Sequence, residues 1–162
     1  MIAVKKGLLA IVFPIILLLS GCFNDPVQDD LLNYVNKEMK PVGKLEAAAV
    51  SAYESVSGVN YQDDQTMYDA LTKEVIPNYN EFIKELDSVK IETDELRKIH
   101  EIYIEGADIQ FKAFVTIKQA LEEQDPALIQ KANDMLADAR EHIRDYKSKL
   151  NKLAKEHKVK LT

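Results

Sequence analysis

The chain has 162 residues, of which 46% are hydrophobic, and carries 27 acidic against 21 basic side chains for a net charge of −6 at neutral pH. That length suits one domain, and an acidic chain without a basic stripe argues against nucleic acid as a partner. One cysteine and no tryptophan leave no disulfide within the chain, so an apolar core has to supply the stability.

The chain opens with Lys5 and Lys6 ahead of an apolar run from Gly7 to Leu19. A basic start, a short apolar stretch and small residues at its end are the parts of a secretory signal peptide. The run is too short for a membrane-spanning helix, which needs about 20 apolar residues, and Pro14 interrupts it. Cys22 follows directly, and the rest of the chain holds no other cysteine.

Leu19-Ser20-Gly21-Cys22 resembles the lipobox of bacterial lipoproteins. The resemblance implies that the Cys22 thiol receives a diacylglyceryl group, that a peptidase cuts between Gly21 and Cys22, and that the new amino-terminus is open to acylation by a chain such as palmitate. Each buried CH₂ adds about 0.8 kcal/mol, so one acyl chain holds marginally and two make a lasting anchor. Phe23 in place of aspartate, with lysine far outnumbering arginine, leans toward a Gram-positive source. There the protein stands on the extracytoplasmic face of the cell membrane. The expected organisation is a signal peptide over 1–21, a lipidated cysteine and short tether over 22–26, and one domain over 27–162. Loss of the signal peptide removes Lys5 and Lys6, which takes the net charge from −6 to −8.

Four helices follow in chain order. The first is predicted from about Val27 to Ser57, with a stripe of Leu31, Val35, Val42, Leu45, Ala49, Tyr53 and Val56, and stops at Gly58, a natural C-terminal cap. Pro41-Val42-Gly43 is placed to break it in two. The second starts at Asp63 or Asp64 and runs to about Ser88 on Tyr68, Leu71, Val75, Tyr79, Phe82, Leu86 and Val89. Pro77 lies opposite that stripe, where a kink bends the helix around a core. Thr93 is the expected cap of the third, with Asp94 and Glu95 in the first turn, where the helix dipole favours acids. Its stripe is Leu96, Ile99, Tyr103, Gly106, Ala113 and Ile117. Asp125-Pro126 opens the fourth as N-cap and first helical residue, with Leu128, Ala132, Met135, Ala139, Ile143, Tyr146, Leu150 and Leu153 on one face. Short connections make neighbours antiparallel. The expectation is an all-α, up-down-up-down four-helix bundle.

Catalytic signals are absent from this sequence. A di-iron bundle needs Glu-x-x-His on two helices, but His100, His142 and His157 are preceded at that spacing by Arg97, Ala139 and Ala154. No Cys-x-x-Cys-His, phosphate loop, nucleophile elbow or His-Glu-x-x-His occurs. No enzyme, metal or cofactor is expected. Glu38, Glu46, Asn78, Gln110 and His142 fall on or beside the stripes, Glu38 pointing straight into one. They are the candidates for a small ligand or metal in the core, or else they hydrogen-bond structurally.

The third helix has apolar residues beyond its stripe. Ile104, Phe111 and Val115 line a second side, with His100 and Lys118 on its flank: either another element covers it, such as the half of the first helix after Pro41, or it is exposed with the anatomy of a protein contact. The tail carries Lys147, Lys149, Lys152, Lys155, Lys158 and Lys160 against Glu156, which suits a helix C-terminus and also an anionic membrane. The resulting expectation is a membrane-anchored, non-catalytic interaction module of the cell envelope that meets another envelope protein through Ile104, Phe111 and Val115. The alternative is a lipoprotein that binds a small ligand or metal through polar residues in the core.

Overall fold

The structure, a computed structural model, describes residues 25–161; the leader and Cys22 lie outside the described residues. Among the described residues every regular element is helical and no strand occurs. Helix α1 spans 26–54 as Pro26–Asn33, a wide turn at Tyr34–Glu38, and Met39–Glu54. Asp25 caps it by accepting from the Val27 and Gln28 amides at 3.1 and 3.2 Å. A short 3₁₀ turn, Gly58–Asn60, follows, with Gly58 at φ +57°. Only glycine enters that left-handed region freely, but the helix itself ends at Glu54, ahead of the end expected at about Ser57, and Gly58 opens the following turn instead of capping the helix.

Helix α2 spans 64–87 as Asp64–Ala70, a wide turn at Leu71–Val75, and Ile76–Asp87. Its cap is Asp63, which accepts from the Thr66 amide at 2.8 Å. Helices α3 (Asp94–Glu123) and α4 (Pro126–Glu156) are the longest, at 30 and 31 residues. Asp125 caps α4 through the Ala127 amide at 2.8 Å, with Pro126 in the first turn.

Neither proline breaks its helix. Proline donates no hydrogen bond and crowds the carbonyl four residues before it. For Pro41 and Pro77 those carbonyls belong to Lys37 and Lys73, and each lies inside a wide turn. There the Met39 amide bonds to Tyr34 and the Ile76 amide to Leu71, five residues back instead of four. The extra residue makes room for the ring and rotates everything that follows on the helix. Of the two outcomes open at Pro41, a break or a continuous helix, the second holds: α1 absorbs the proline by widening one turn, and runs on to Glu54.

The packing partners run in opposite numerical order. Thr116 approaches Met135, Gly106 lies against Ala139 and His142, and Tyr103 stacks on Tyr146. Likewise Tyr79 meets Phe111 and Phe82 meets Tyr103, while Tyr34 reaches both His100 and Tyr146. A Cβ on Gly106 would stand 2.9 Å from His142 Cβ, so the absent side chain sets the α3–α4 spacing. Gly106, Ala113 and Ala120 recur every seven residues on α3 and all are buried. Small residues at that period let two long helices approach closely.

The core is aromatic at its centre. Tyr79 lies 4.9 Å from Phe82 and 5.2 Å from Phe114, and Tyr53 is 4.8 Å from Phe114, ring centre to ring centre. Such tilted and edge-on pairs add to simple area burial. Phe114 and Tyr34 are both fully buried, although neither belongs to a predicted stripe.

Candidate functional site

Three places on the molecule hold functional candidates: the polar centre of the core, the outer side of α3, and a cleft at the end formed by residues 55–63 and 124–125.

The polar centre is built from side chains of α1, α3 and α4 and one carbonyl of α2. His100 Nε2 faces the Leu86 carbonyl at 3.1 Å. A carbonyl only accepts, so Nε2 carries the proton and Nδ1 accepts from the Tyr34 hydroxyl at 2.9 Å. Tyr34 in turn accepts from the Tyr146 hydroxyl at 3.0 Å. Burial holds His100 below its ordinary pKa, and pushes Tyr146 up to about 12. Tyr34 is raised further, again by burial first and then by Tyr146. The set is a neutral, mutually satisfied relay. His100, expected on an exposed flank of α3, is instead 4% exposed. The reason is its register, four residues after Leu96 and three before Tyr103, both core residues. Tyr79 is the exception here, with a buried hydroxyl that has no partner among the described residues.

The other polar candidates do not gather. Glu38 accepts from the Lys90 amide at 3.3 Å, and His142 Nδ1 meets the Asp138 carbonyl at 3.0 Å. Asn78 is exposed, and Gln110 is half-buried. Only Glu46 lies near the core tyrosines, where its charge helps to raise Tyr79 and Tyr103 after burial, the larger cause. Among the described residues no three His, Cys, Asp or Glu side chains cluster as they would around a metal ion.

On α3 the three apolar candidates separate. Ile104 and Phe111 are half-buried and pack on the core. The Phe111 ring lies nearly parallel to Tyr79 at 18°, with centres 6.3 Å apart. Val115 is 41% exposed. Lys118 pairs with Glu122 at 2.7 Å beside the Tyr68 ring.

The third place is not among the sites expected from sequence. A cleft of about 410 Å³ opens between the start of α2 and the α3–α4 connection. Its apolar wall is formed by Tyr53, Met67, Ile117, Leu121 and Ile129, and Asp64, Gln124, Asp125 and Asn133 supply the polar groups. Gln124 adopts φ 53° to end α3, and its side chain reaches Asp64 at 3.3 Å. Tyr61, 47% exposed, donates to Asp64 at 2.6 Å, and this bond with burial and acidic neighbours raises its pKa. Val59 beside it is 100% exposed. The signal available in sequence is the apolar pair Val59 and Tyr61 inside a predicted loop.

At the opposite end, His157 Nδ1 lies 2.7 Å from Asp25, and Gln28 donates to the His157 carbonyl at 2.8 Å. The His157 bond is the main cause that lowers the Asp25 pKa. Asp30 is 3% exposed and accepts from the Glu92 amide, the Thr93 amide and the Thr93 hydroxyl at 3.2, 2.8 and 2.6 Å. Thr93 does not cap α3 with its own side chain, as expected from sequence; it donates to Asp30 instead. Lysines 147, 149, 152, 155, 158 and 160 are all exposed.

Comparison with protein-family models, with curated proteins and with solved structures gives no match. No helix among the described residues is long and apolar enough to cross a membrane.

Proposed function

We propose that the protein is a lipid-anchored lipoprotein of the cell envelope, held by Cys22 on the extracytoplasmic face of the membrane, and that it acts as a non-catalytic interaction module. In this reading the helices form an up-down-up-down antiparallel bundle, a course supported by the opposed numbering of the packing pairs. The bond between Asp25 and His157 puts the end of α4 beside a residue only three after Cys22. The anchor, the exposed lysines and the negative lipid surface then share one end, at about 1 kcal/mol of attraction per lysine near the surface.

The observation that carries the interaction reading is the far end. A fully exposed valine beside a half-exposed tyrosine and an apolar cleft is surface that a solitary domain has little reason to show. The alternative, a ligand or metal in the core, draws less support, because Tyr34, His100 and Tyr146 satisfy one another.

Two measurements test the proposal. Cys22→Ala should move the protein from the membrane fraction to the medium, or leave an uncleaved precursor. A photo-crosslinking residue at position 59 of the anchored protein should trap an envelope protein, while one at exposed position 84 should not. Equal trapping at both positions would refute the site, and an unmodified Cys22 thiol in membrane-bound protein would refute the anchor.

A further inference from the structure

The charges of this chain are segregated along its length. No Lys or Arg occurs between Lys44 and Lys73, nor between Lys118 and Lys131. Those two base-free stretches are the ones that build the far end: every residue lining the cleft belongs to them or, in Ile117 and Asn133, sits just outside one. The same stretches carry Glu46, Glu54, Asp63, Asp64, Asp69, Glu122, Glu123 and Asp125. Some of that charge is already answered. Glu122 pairs with Lys118, and Asp69 with Lys73. Asp64 and Asp125, at the cleft itself, have only neutral partners: Tyr61 and Gln124 for one, the Ala127 amide for the other. The cleft therefore joins an apolar wall to two carboxylates that no cation balances among the described residues.

We infer that the cleft receives an apolar segment of the partner protein that carries a basic side chain, its aliphatic or aromatic group on the wall of Met67, Ile117 and Ile129 and its cation at Asp64 and Asp125. This inference rests on the interaction reading above and narrows it to a chemistry. An acidic segment is repelled, because like charges brought together at an interface oppose binding. A neutral apolar segment gains the wall but leaves both carboxylates without a counter-charge. The volume, about 410 Å³, holds one or two large side chains and not a folded domain, so the segment has to be extended or a loop tip.

The test uses the lipidated chain in nanodiscs of neutral phosphatidylcholine. Two labelled, acetylated and amidated peptides serve as probes, Arg-Phe-Leu-Arg and Glu-Phe-Leu-Glu, with binding read by fluorescence anisotropy. The arginine peptide should bind about tenfold more tightly at low salt, and the gap should narrow as rising ionic strength shortens the Debye length below about 10 Å. Replacing Asp64 and Asp125 together by Asn should remove most of the gap, since Asn preserves the α4 cap. Removing two exposed charges elsewhere, with Glu74→Gln and Asp138→Asn, should leave it in place. Equal binding of the two peptides overturns the inference, as does a gap that persists in the Asp64→Asn, Asp125→Asn protein. A partner trapped at position 59 through a segment without Lys or Arg also overturns it and leaves the interaction reading standing. Failure to trap anything preferentially at position 59 overturns that reading itself.

Discussion

The two ends of the molecule are held by different kinds of contact. At the end of residues 25 and 157, side chains bridge elements far apart in sequence: Asp30 to Thr93, Glu38 to Lys90, Gln28 and Asp25 to His157. At the cleft end most bonds stay local, as in Tyr61 to Asp64, Asn60 to Glu54 and Asp63 to Thr66, three to six residues apart. The long ones that exist there, Tyr68 to Glu122 and Gln124 to Asp64, are exposed. A network of mostly half-buried long-range bonds makes an end rigid and intolerant of change, whereas an end closed locally keeps side chains free to meet something else. In the proposed reading, stability and recognition are thus separated along the helix axes.

Substitutions can break that comparison. The largest effect is expected from Asp30→Ala, which strands the Glu92 and Thr93 amides at the start of α3. It should cost about 2–4 kcal/mol in urea unfolding, with Asp30→Asn keeping part of the loss back. A cost below about 1 kcal/mol would mean that this end is not tied by Asp30. Next comes Phe111→Glu, expected to cost about 2–3 kcal/mol by removing a ring stacked over Tyr79 and placing a carboxylate against the core. Val115→Glu should stay within about 0.5 kcal/mol. Near-neutrality of both would return the α3 cluster of Ile104, Phe111 and Val115 to the role of docking face. Gly106→Ala should follow at about 1–2 kcal/mol, because the new methyl forces α3 from α4 and outweighs the gain in helix propensity.

A smaller effect depends on pH. Burial holds His100 neutral in the folded state, while in the unfolded chain it titrates near its ordinary value of about 6.5. The unfolded chain therefore binds the proton more readily, so His100 leaves stability intact above about 6.5 and erodes it as pH falls through 6.5 toward the depressed value. Thermal unfolding between pH 7.5 and 5.5 should show this fall, and His100→Gln should flatten it; equal slopes would clear His100 of any part. The smallest effect on stability belongs to Val59→Lys, within about 0.5 kcal/mol, yet this change should abolish trapping of a partner by a crosslinking residue moved to exposed position 62. A marked fall in melting temperature would show that the cleft end carries the fold after all.

Much of the helical pattern was legible in the sequence, because its signals are local. Asp25 is not among the predicted caps, but Asp63 and Asp125 cap where their spacing to the following amides allows, Gly58 turns left-handed, and α3 buries the stripe that a period of 3.6 predicts, while α4 leaves Leu128, Met135 and Ile143 of its stripe half-buried and buries Leu136 and Ala154 instead. The charge segregation is likewise written in the chain, although only the fold shows that both base-free stretches meet at one end. Phase and partnership were decided by tertiary structure. A wide turn adds one residue to α1 before Pro41, and that rotation is a response to the ring as well as to the packing of Tyr34 into the core. Asp30 reads as one more acid near a helix start, and becomes the acceptor for Thr93 only because α1 and α3 lie side by side. His100 and Tyr146 are far apart in the chain, and nothing in the local sequence of either says that one hydroxyl, that of Tyr34, bonds to both. The cleft is of the same kind: its wall comes from four helices, and a concavity belongs to the gap between elements, which no single element encodes.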